Sequence, residues 1–156
     1  MELRRAVEED MPGINRLLRQ VLMVHHEGRP DLFKADVKKY TDEQLKDILK
    51  NPKTPVFAAV DENGTMMGYA FCIMQCHEND NILMDGKTLY IDDLCVDRSS
   101  RGQHIGKQLY EYVLDYARQE QCYNVTLNVW TCNESAMRFY EKCGLKPQKI
   151  GMEVIL

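Results

Sequence analysis

Two carboxylates and one phenol are the side chains of this sequence best suited to acid–base chemistry. Asp92 and Asp93 stand together in an apolar run that has the pattern of a β-strand, and Tyr140 lies in a later amphipathic segment. A carboxylate can take a proton from a nucleophile, and a phenol can return one to a leaving group. Because neighbouring residues of a strand face opposite ways, we expect only one carboxylate to face a given surface of the sheet.

A polar turn follows this strand and leads into a helix. It contains Arg101, Gly102, Gly106 and Lys107. The first amides of a helix have no partner within the helix, and the positive end of the helix dipole lies there, so this junction predicts an anion site suited to phosphate. We expect Gly102 to permit a positive φ or a close approach, and Gly106 to leave room for the ligand beside the first helical turn.

Two nucleotide-binding patterns do not fit this turn. A nucleoside-triphosphate loop has four residues between its first Gly and the Gly-Lys pair, and then Ser or Thr. Here three residues separate Gly102 from Gly106, and Gln108 follows Lys107. The Gly-x-Gly-x-x-Gly fingerprint of dinucleotide-binding domains is absent.

The same turn resembles the Arg/Gln-x-x-Gly-x-Gly/Ala motif of the GNAT superfamily of acyl-CoA-dependent N-acetyltransferases. Val96-Asp97 ends the strand, and Arg101-Gly102-Gln103-His104-Ile105-Gly106 follows. His104 stands where the family usually has its first motif glycine. Since the family binds its cofactor here largely through backbone amides, we expect His104 to keep its N–H available.

A second segment resembles the family's C-terminal cofactor motif, Asn-x-x-small-x-x-x-Tyr-x-x-x-Gly-Phe. It runs from Asn133 through Tyr140 to Gly144-Leu145. Asn133 and Tyr140 are two helical turns apart and share a face, and Asn133 also suits the N-cap of the helix. The resemblance covers roughly residues 56–156. It implies direct transfer from acetyl-CoA, without an acyl-enzyme, and a tyrosine acid at Tyr140.

The resemblance also implies which residues bind acetyl-CoA. They lie at the strand end, in the turn and in the last helix: Leu94, Cys95, Val96, Arg101, Gly102, Gln103, His104, Ile105, Gly106, Lys107, Asn133, Ser135 and Tyr140. The polyamine-acetylating branch carries an acidic pair before its motif strand. On that analogy Asp92 ranks slightly ahead of Asp93 as base or water relay, and both stay open.

Acceptor recognition is expected at the end of the first helix, which lines the acceptor mouth in this family. His26 and Arg29 lie there, followed by Pro30. The alternative is a helix end with favourable basic residues and a Pro-terminated turn. Asn128 is the third expected substrate residue. It occupies a position where the ribosomal-protein branch of the family has a Glu base, which argues against that branch.

Composition indicates a single soluble domain spanning residues 1–156. The chain has 44% hydrophobic and 28% charged residues and a net charge of −4, which disfavours nucleic acid and suits a cationic substrate. No apolar run reaches the ~20 residues of a membrane span. Early charges such as Glu2 and Arg4 interrupt any signal-like start, and the six cysteines form no metal-binding pattern. We therefore expect a cytoplasmic protein without a metal; a homodimer stays open.

The expected fold class is α/β (α+β), with the GNAT fold. The resemblance implies a central mixed, mostly antiparallel sheet flanked by about four helices. A splayed pair of strands, one ending near Val96 and the other at Val125–Trp130, would hold CoA. Residues Lys146–Leu156 are expected to form the closing strand, because apolar residues recur there.

The function that these features predict is acetyl transfer from acetyl-CoA to a primary amine, either a small-molecule or polyamine-like amine or a peptide amine. The alternative from another class is a GNAT-fold protein that binds acyl-CoA without turnover, as a sensor or interaction module. Tyr140 and the acidic pair favour the enzyme, whereas His104 keeps the alternative open.

Overall fold

A five-stranded sheet with helices on both faces forms the protein in a computed structural model that describes residues 1–156. The strands are β1 (Glu2–Arg5), β2 (Val56–Val60), β3 (Met66–His77), β4 (Gly86–Val96) and β5 (Asn124–Leu127). The helices are α1 (Met11–Gly28), α2 (Asp42–Lys50), α3 (Ile105–Gln119) and α4 (Glu134–Lys142). This arrangement confirms the expected fold class.

The strands lie in the order in which they occur in the chain, β1-β2-β3-β4-β5. The first four pair antiparallel, whereas β5 pairs parallel to β4 after the crossover through α3. A parallel neighbour needs such a crossover, since a tight turn can only reverse the chain. The sheet is therefore mixed and mostly antiparallel.

Alternating residues of β2 separate two hydrophobic cores. Ala58 and Val60 pack on the face covered by α1 and α2, and Phe57 and Ala59 pack on the face covered by α3. Every residue of β2 is buried, as expected for a central strand with both faces covered.

Two helix starts follow the predicted capping patterns. The hydroxyl of Thr41 accepts a hydrogen bond from the amide of Gln44, and the Gln44 side chain accepts from the amide of Thr41. The side-chain oxygen of Asn133 accepts from the amide of Ala136 at 3.2 Å. Both patterns satisfy amides that a helix leaves without partners.

The expected closing strand is wrong. Residues 146–156 form no helix or strand, and their side chains are exposed, including Ile150, Met152 and Val154. An alternating apolar pattern favours a strand only where a neighbouring strand supplies hydrogen-bond partners, and no strand of the sheet pairs with this segment. The last strand is also shorter than expected, since β5 ends at Leu127 instead of Trp130.

The two parallel strands part before β4 ends. Their pairing runs from Thr88 opposite Asn124 to Ile91 opposite Leu127 and goes no further. Residues 92–96 of β4 therefore pair only with β3 and leave their other edge open. This open edge is the expected splay, and it leads directly to α3. None of the helices combines the length and the apolar character that a membrane span requires.

Candidate active site

A β-bulge places Asp92 outside the regular pairing of β3 with β4. Phe71 lies opposite Asp93 and Cys72 opposite Ile91, so Asp92 is the extra residue of β4. A bulge interrupts strict alternation and re-aims the side chains around it. Both carboxylates consequently come within electrostatic range of one ammonium group, that of Lys39. The alternation argument, by which only one carboxylate would face this surface, does not hold at the bulge.

Asp93 is the more enclosed of the two carboxylates. It is half-buried, whereas Asp92 is exposed. The hydroxyl of buried Tyr69 donates a hydrogen bond of 2.8 Å to Oδ2 of Asp93. Burial raises the pKa of Asp93, and the attraction of Lys39, the Tyr69 hydrogen bond and His25 offset only part of that effect. A carboxylate with a raised pKa is a stronger base once it is ionised.

Lys39 and His25 lie near the two carboxylates; His25 belongs to the expected acceptor stretch at the end of α1, whereas the sequence analysis did not single out Lys39. The Nζ atom of Lys39 lies 3.3 Å from Oδ2 of Asp92. Burial lowers the pKa of Lys39, but the attraction of Asp93, Tyr40 and Asp92 outweighs it and raises the pKa. Burial is the main reason that the pKa of His25 is lowered, with Asp93 opposing it. No periodic pattern marks Lys39, because it lies between two helices.

Tyr140 approaches the same carboxylate from α4. Its side chain is half-buried. Burial raises the pKa of Tyr140, and the negative charge of Asp93 raises it further. The phenol is therefore protonated at neutral pH and available as a proton donor. The structure thus brings Asp93 and Tyr140, from distant parts of the chain, to the open edge of β4.

The turn before α3 has the properties of an anion site. No backbone N–H from residue 101 to residue 107 donates a hydrogen bond within the protein. Gly102 has a φ of 80°, and a Cβ there would meet no atom within 4 Å. Asp97, the residue after β4, fixes the start of the turn. It is buried, accepts a hydrogen bond of 3.0 Å from the Ser99 amide and forms an ion pair with Arg16. Free amides at a helix start fit a phosphate group.

Within the turn, His104 keeps the free N–H expected of it, whereas Gly106 departs from the expectation. His104 adopts a φ of 60°, the left-handed conformation that glycine would take without strain. Its side chain is exposed, so its ring leaves the N–H accessible. Gly106 is in contact with protein side chains, because a Cβ there would lie 3.4 Å from both Phe139 of α4 and Val96. The absence of a side chain at Gly106 thus allows α4 to pack closely against α3.

The remaining residues expected to hold the cofactor divide into two groups. Leu94 and Val96 are half-buried against the α3 side of the sheet, whereas Cys95 is buried on the α1 side and donates to the carbonyl oxygen of Leu17 at 3.8 Å. Burial raises the pKa of Cys95 to about 12, which excludes a thiolate there at neutral pH. The exposed residues Gln103, Lys107 and Ser135 line the approach to the turn and to α4, and Ile105 is buried in the core as the first residue of α3.

Each of the expected acceptor residues is fixed by a different neighbour. His26 Nδ1 lies 2.7 Å from the carbonyl oxygen of Phe33. Arg29 forms two hydrogen bonds to Asp31, of 2.9 and 2.8 Å, and an ion pair with Glu153. Asn128 is exposed beyond the end of β5, and its amide nitrogen donates to the Tyr90 hydroxyl at 3.3 Å. Arg29 is thus already neutralised by two carboxylates.

An aromatic cluster that the sequence analysis missed covers this side of the site. The rings of His25 and Phe33 lie 5.1 Å apart, and those of Phe33 and Trp130 lie 5.3 Å apart in an edge-to-face arrangement. Trp130 is 40% exposed. A signal existed in the single tryptophan of the chain, since an exposed tryptophan is common at binding surfaces.

Comparison with known proteins agrees with this geometry. The model of the acetyltransferase (GNAT) family matches residues 21–145. In a search of solved structures, the tetramutant of the BH1408 protein from Bacillus halodurans superimposes with a TM-score of 0.95 at 31% identity, covering 100% of both chains. The fold is therefore shared along the entire chain.

Two curated relatives carry named activities. Glucosamine 6-phosphate N-acetyltransferase of Arabidopsis thaliana is 37% identical over 67 residues, which are 43% of this chain and 43% of the relative. Peptidyl-lysine N-acetyltransferase YjaB of Salmonella typhimurium is 27% identical over 146 residues, 94% of this chain and 83% of the relative. The chain thus spans less than half the length of the plant relative and most of the bacterial one.

Proposed function

Because the chain belongs to the acetyltransferase (GNAT) family, we propose that it transfers the acetyl group of acetyl-CoA directly to a primary amine. One observation carries this proposal: the edge of β4 that β5 leaves open runs past Asp93 and leads into the amide-rich turn before α3, and Tyr140 lies within electrostatic range of Asp93. A base, an acid and an anion site lie along one edge, as the reaction requires.

The turn supports binding of acetyl-CoA through its pyrophosphate. Backbone amides from residue 101 to residue 107 donate hydrogen bonds to the phosphates, and Arg101 and Lys107 supply positive charge. The open edge of residues 92–96 then pairs with the amide groups of the pantetheine arm, as an added strand would. Acetyl-CoA supplies the activated thioester, and the protein positions it.

Asp93 acts as base or through a water molecule. A primary amine is a cation at neutral pH, with a pKa near ~10.4, and must lose a proton before it attacks the thioester. The enclosed position of Asp93 and the Tyr69 hydrogen bond favour it over Asp92, which reverses the ranking from the family analogy. Asp92 contributes negative charge that attracts the ammonium group of the acceptor.

Tyr140 returns a proton to the leaving thiolate. Burial raises the pKa of the phenol. The same groove also removes water from the sulfur of CoA, and desolvation raises the pKa of a thiol as it raises that of Cys95. Proton transfer from Tyr140 to the sulfur thus remains possible, because burial disfavours both anions.

A lysine side chain is the acceptor amine that the site favours. The relative named for peptidyl-lysine aligns with 94% of this chain, whereas the glucosamine 6-phosphate relative aligns with 43%. A sugar phosphate would need a free cation at the acceptor mouth, and Arg29 is already paired with Asp31 and Glu153. His26 supports this mouth by fixing Phe33, and Asn128 lies at its opposite side.

A cytoplasmic location and a homodimer stay predictions.

An amine panel tests the proposal. Acetyl-CoA is incubated with the protein and a lysine-containing peptide, spermidine or glucosamine 6-phosphate, and the free thiol is followed. We expect the fastest release with the peptide. Faster release with glucosamine 6-phosphate would overturn the acceptor class. CoA binding without release for any amine would instead indicate a sensor that binds acyl-CoA.

A further inference from the structure

The amine of Lys39 lies beside the two carboxylates to which the proposed function assigns the acceptor amine. Its Nζ atom is 3.3 Å from Oδ2 of Asp92, and the charge of Asp93 also acts on it. The side chain is 30% exposed, and its Nζ lies 5.3 Å from the centroid of the Tyr40 ring. A lysine amine of this chain is thus paired with Asp92 and within electrostatic range of Asp93.

We propose that Lys39 is a self-acetylation site, at which the protein transfers an acetyl group from acetyl-CoA to its own side chain. The inference rests on the proposed function, since it uses the same edge of β4 and the same two carboxylates. It also gives the acceptor class a concrete member, a lysine amine on the segment between α1 and α2.

The chemical step balances with the groups present. The ammonium group of Lys39 loses one proton to Asp93 through a water molecule, and the freed nitrogen attacks the carbonyl carbon of the thioester. As the amide forms, the nitrogen releases a second proton to water. The C–N bond forms and the C–S bond breaks. Tyr140 protonates the departing sulfur, and its own proton is replaced from the carboxyl group of Asp93 or from water. The products are Nζ-acetylated Lys39 and CoA.

Lys38 is a matched internal control. It precedes Lys39 in the same segment, but its Nζ atom pairs with Asp42 at 2.6 Å, at the start of α2. Both lysines are exposed, with side chains that are 45% exposed in Lys38 and 30% exposed in Lys39. Only Lys39 has the two carboxylates of β4 beside its amine. Selective reaction of Lys39 therefore reports the site and not general lysine reactivity.

Self-acetylation has a consequence for the site itself. The acetyl group removes the positive charge between Asp92 and Asp93 and leaves an amide in the acceptor position. Two neighbouring carboxylates without a countercharge raise each other's pKa. Acetylated protein is therefore expected to transfer acetyl groups to a peptide more slowly than unmodified protein does.

The test uses the full chain and acetyl-CoA with an isotopically labelled acetyl group, so that acetylation acquired during expression is distinguished. Label on each lysine is measured by peptide mass spectrometry over time and at several protein concentrations. Because the reaction is intramolecular, we expect Lys39 to gain label about tenfold faster than Lys38 or more, at a rate per molecule independent of protein concentration. Asp93→Asn and Tyr140→Phe should reduce labelling of Lys39 to the rate of Lys38.

Equal rates at Lys39 and Lys38 in the unaltered protein would overturn the inference, as would a rate proportional to protein concentration. The same samples are assayed for thiol release with a lysine-containing peptide. Release with the peptide but no selective label on Lys39 overturns self-acetylation alone. No release and no selective label overturn both self-acetylation and the proposed function.

Discussion

The hydroxyl of Tyr69 on β3 donates a 2.8 Å hydrogen bond to the carboxylate of Asp93 on β4. The two residues lie on neighbouring strands: Asp93 directly follows the bulge residue Asp92, and Tyr69 lies opposite Cys95. Burial raises the pKa of Tyr69 well above its usual value, so the phenol stays protonated and acts as the donor. The bond favours the ionised form of Asp93.

Replacing this donor should change the pH dependence of the reaction. In Tyr69→Phe the hydrogen bond that lowers the pKa of Asp93 is lost, so burial raises that pKa further. The acidic limb of kcat against pH should therefore move to higher pH, while activity at high pH is largely retained. Tyr112→Phe is the control, since Tyr112 packs against Phe57 on the other face of the sheet. An unmoved acidic limb in Tyr69→Phe would separate Asp93 from the proton transfer.

The two carboxylates should differ when each is replaced. We expect Asp93→Asn to lower kcat by about 10²-fold or more, the range of general-base catalysis. Asp92→Asn should mainly raise the KM for the acceptor, because it removes only an attracting charge. Steady-state kinetics of both variants with one lysine-containing peptide makes the comparison. A larger loss of kcat in Asp92→Asn would restore the ranking that the family analogy suggested.

Asp93→Asn should also stabilise the protein at neutral pH. The pKa of Asp93 is higher in the folded protein than in the unfolded chain, so its ionisation opposes folding as the pH rises. The gain should be smallest near pH ~4, the ordinary carboxyl pKa, and should widen towards pH 7. Thermal unfolding measures it, with about 2–4 °C in Tm for each 1 kcal/mol in a chain of this size. If the change in Tm caused by Asp93→Asn were the same at pH 7 as at pH 4, burial would not be what raises the pKa of Asp93.

The sequence predicts local geometry better than contacts between distant residues. The positive φ of Gly102 and the N-cap at Asn133 follow from local patterns, and the structure has both. Lys39 and Tyr69 reach Asp93 only through tertiary packing, and no local pattern encodes that contact.

The bulge is the second feature that could not be predicted. Asp92 is an extra residue in β4, so the side chains of Asp92 and Asp93 do not alternate between the two faces of the sheet. Strict alternation would place them on opposite faces. The closing strand predicted at residues 146–156 is absent for a related reason. Whether a segment pairs as a strand depends on a partner strand that is distant in the sequence, and not on the segment's own apolar pattern.

Binding of the cofactor should depend on Arg101. Arg101 lies at the amide-rich turn, where a charge-assisted hydrogen bond to phosphate is expected. Arg101→Ala should therefore weaken CoA binding about tenfold, as measured by calorimetry. Arg118→Ala is the control, since Arg118 pairs with Asp115 at 2.6 Å at the opposite end of α3. Equal affinities of the two variants would place the pyrophosphate elsewhere.

Strain at His104 should be removable without loss of binding. His104 has a φ of 60°, which costs an L-residue about 1–2 kcal/mol, and glycine restores part of that at the expense of a more flexible unfolded chain. His104→Gly should thus raise the free energy of unfolding by up to about 1 kcal/mol and leave CoA affinity unchanged. In Gly102→Ala, where φ is 80° and the space is open, stability should fall. Weaker CoA binding by His104→Gly would show that the imidazole contacts the cofactor.

The most direct test of the account is the rate at which CoA thiol is released from acetyl-CoA in the presence of a lysine-containing peptide, compared between the unaltered protein and Tyr140→Phe. We predict turnover by the unaltered protein and a loss of rate of at least about 10²-fold in Tyr140→Phe. CoA affinity should be nearly unchanged, because the phenol acts on the leaving sulfur and not on binding. Equal rates in the two proteins, or an equal loss of binding and turnover, would contradict the account and make Tyr140 a structural contact.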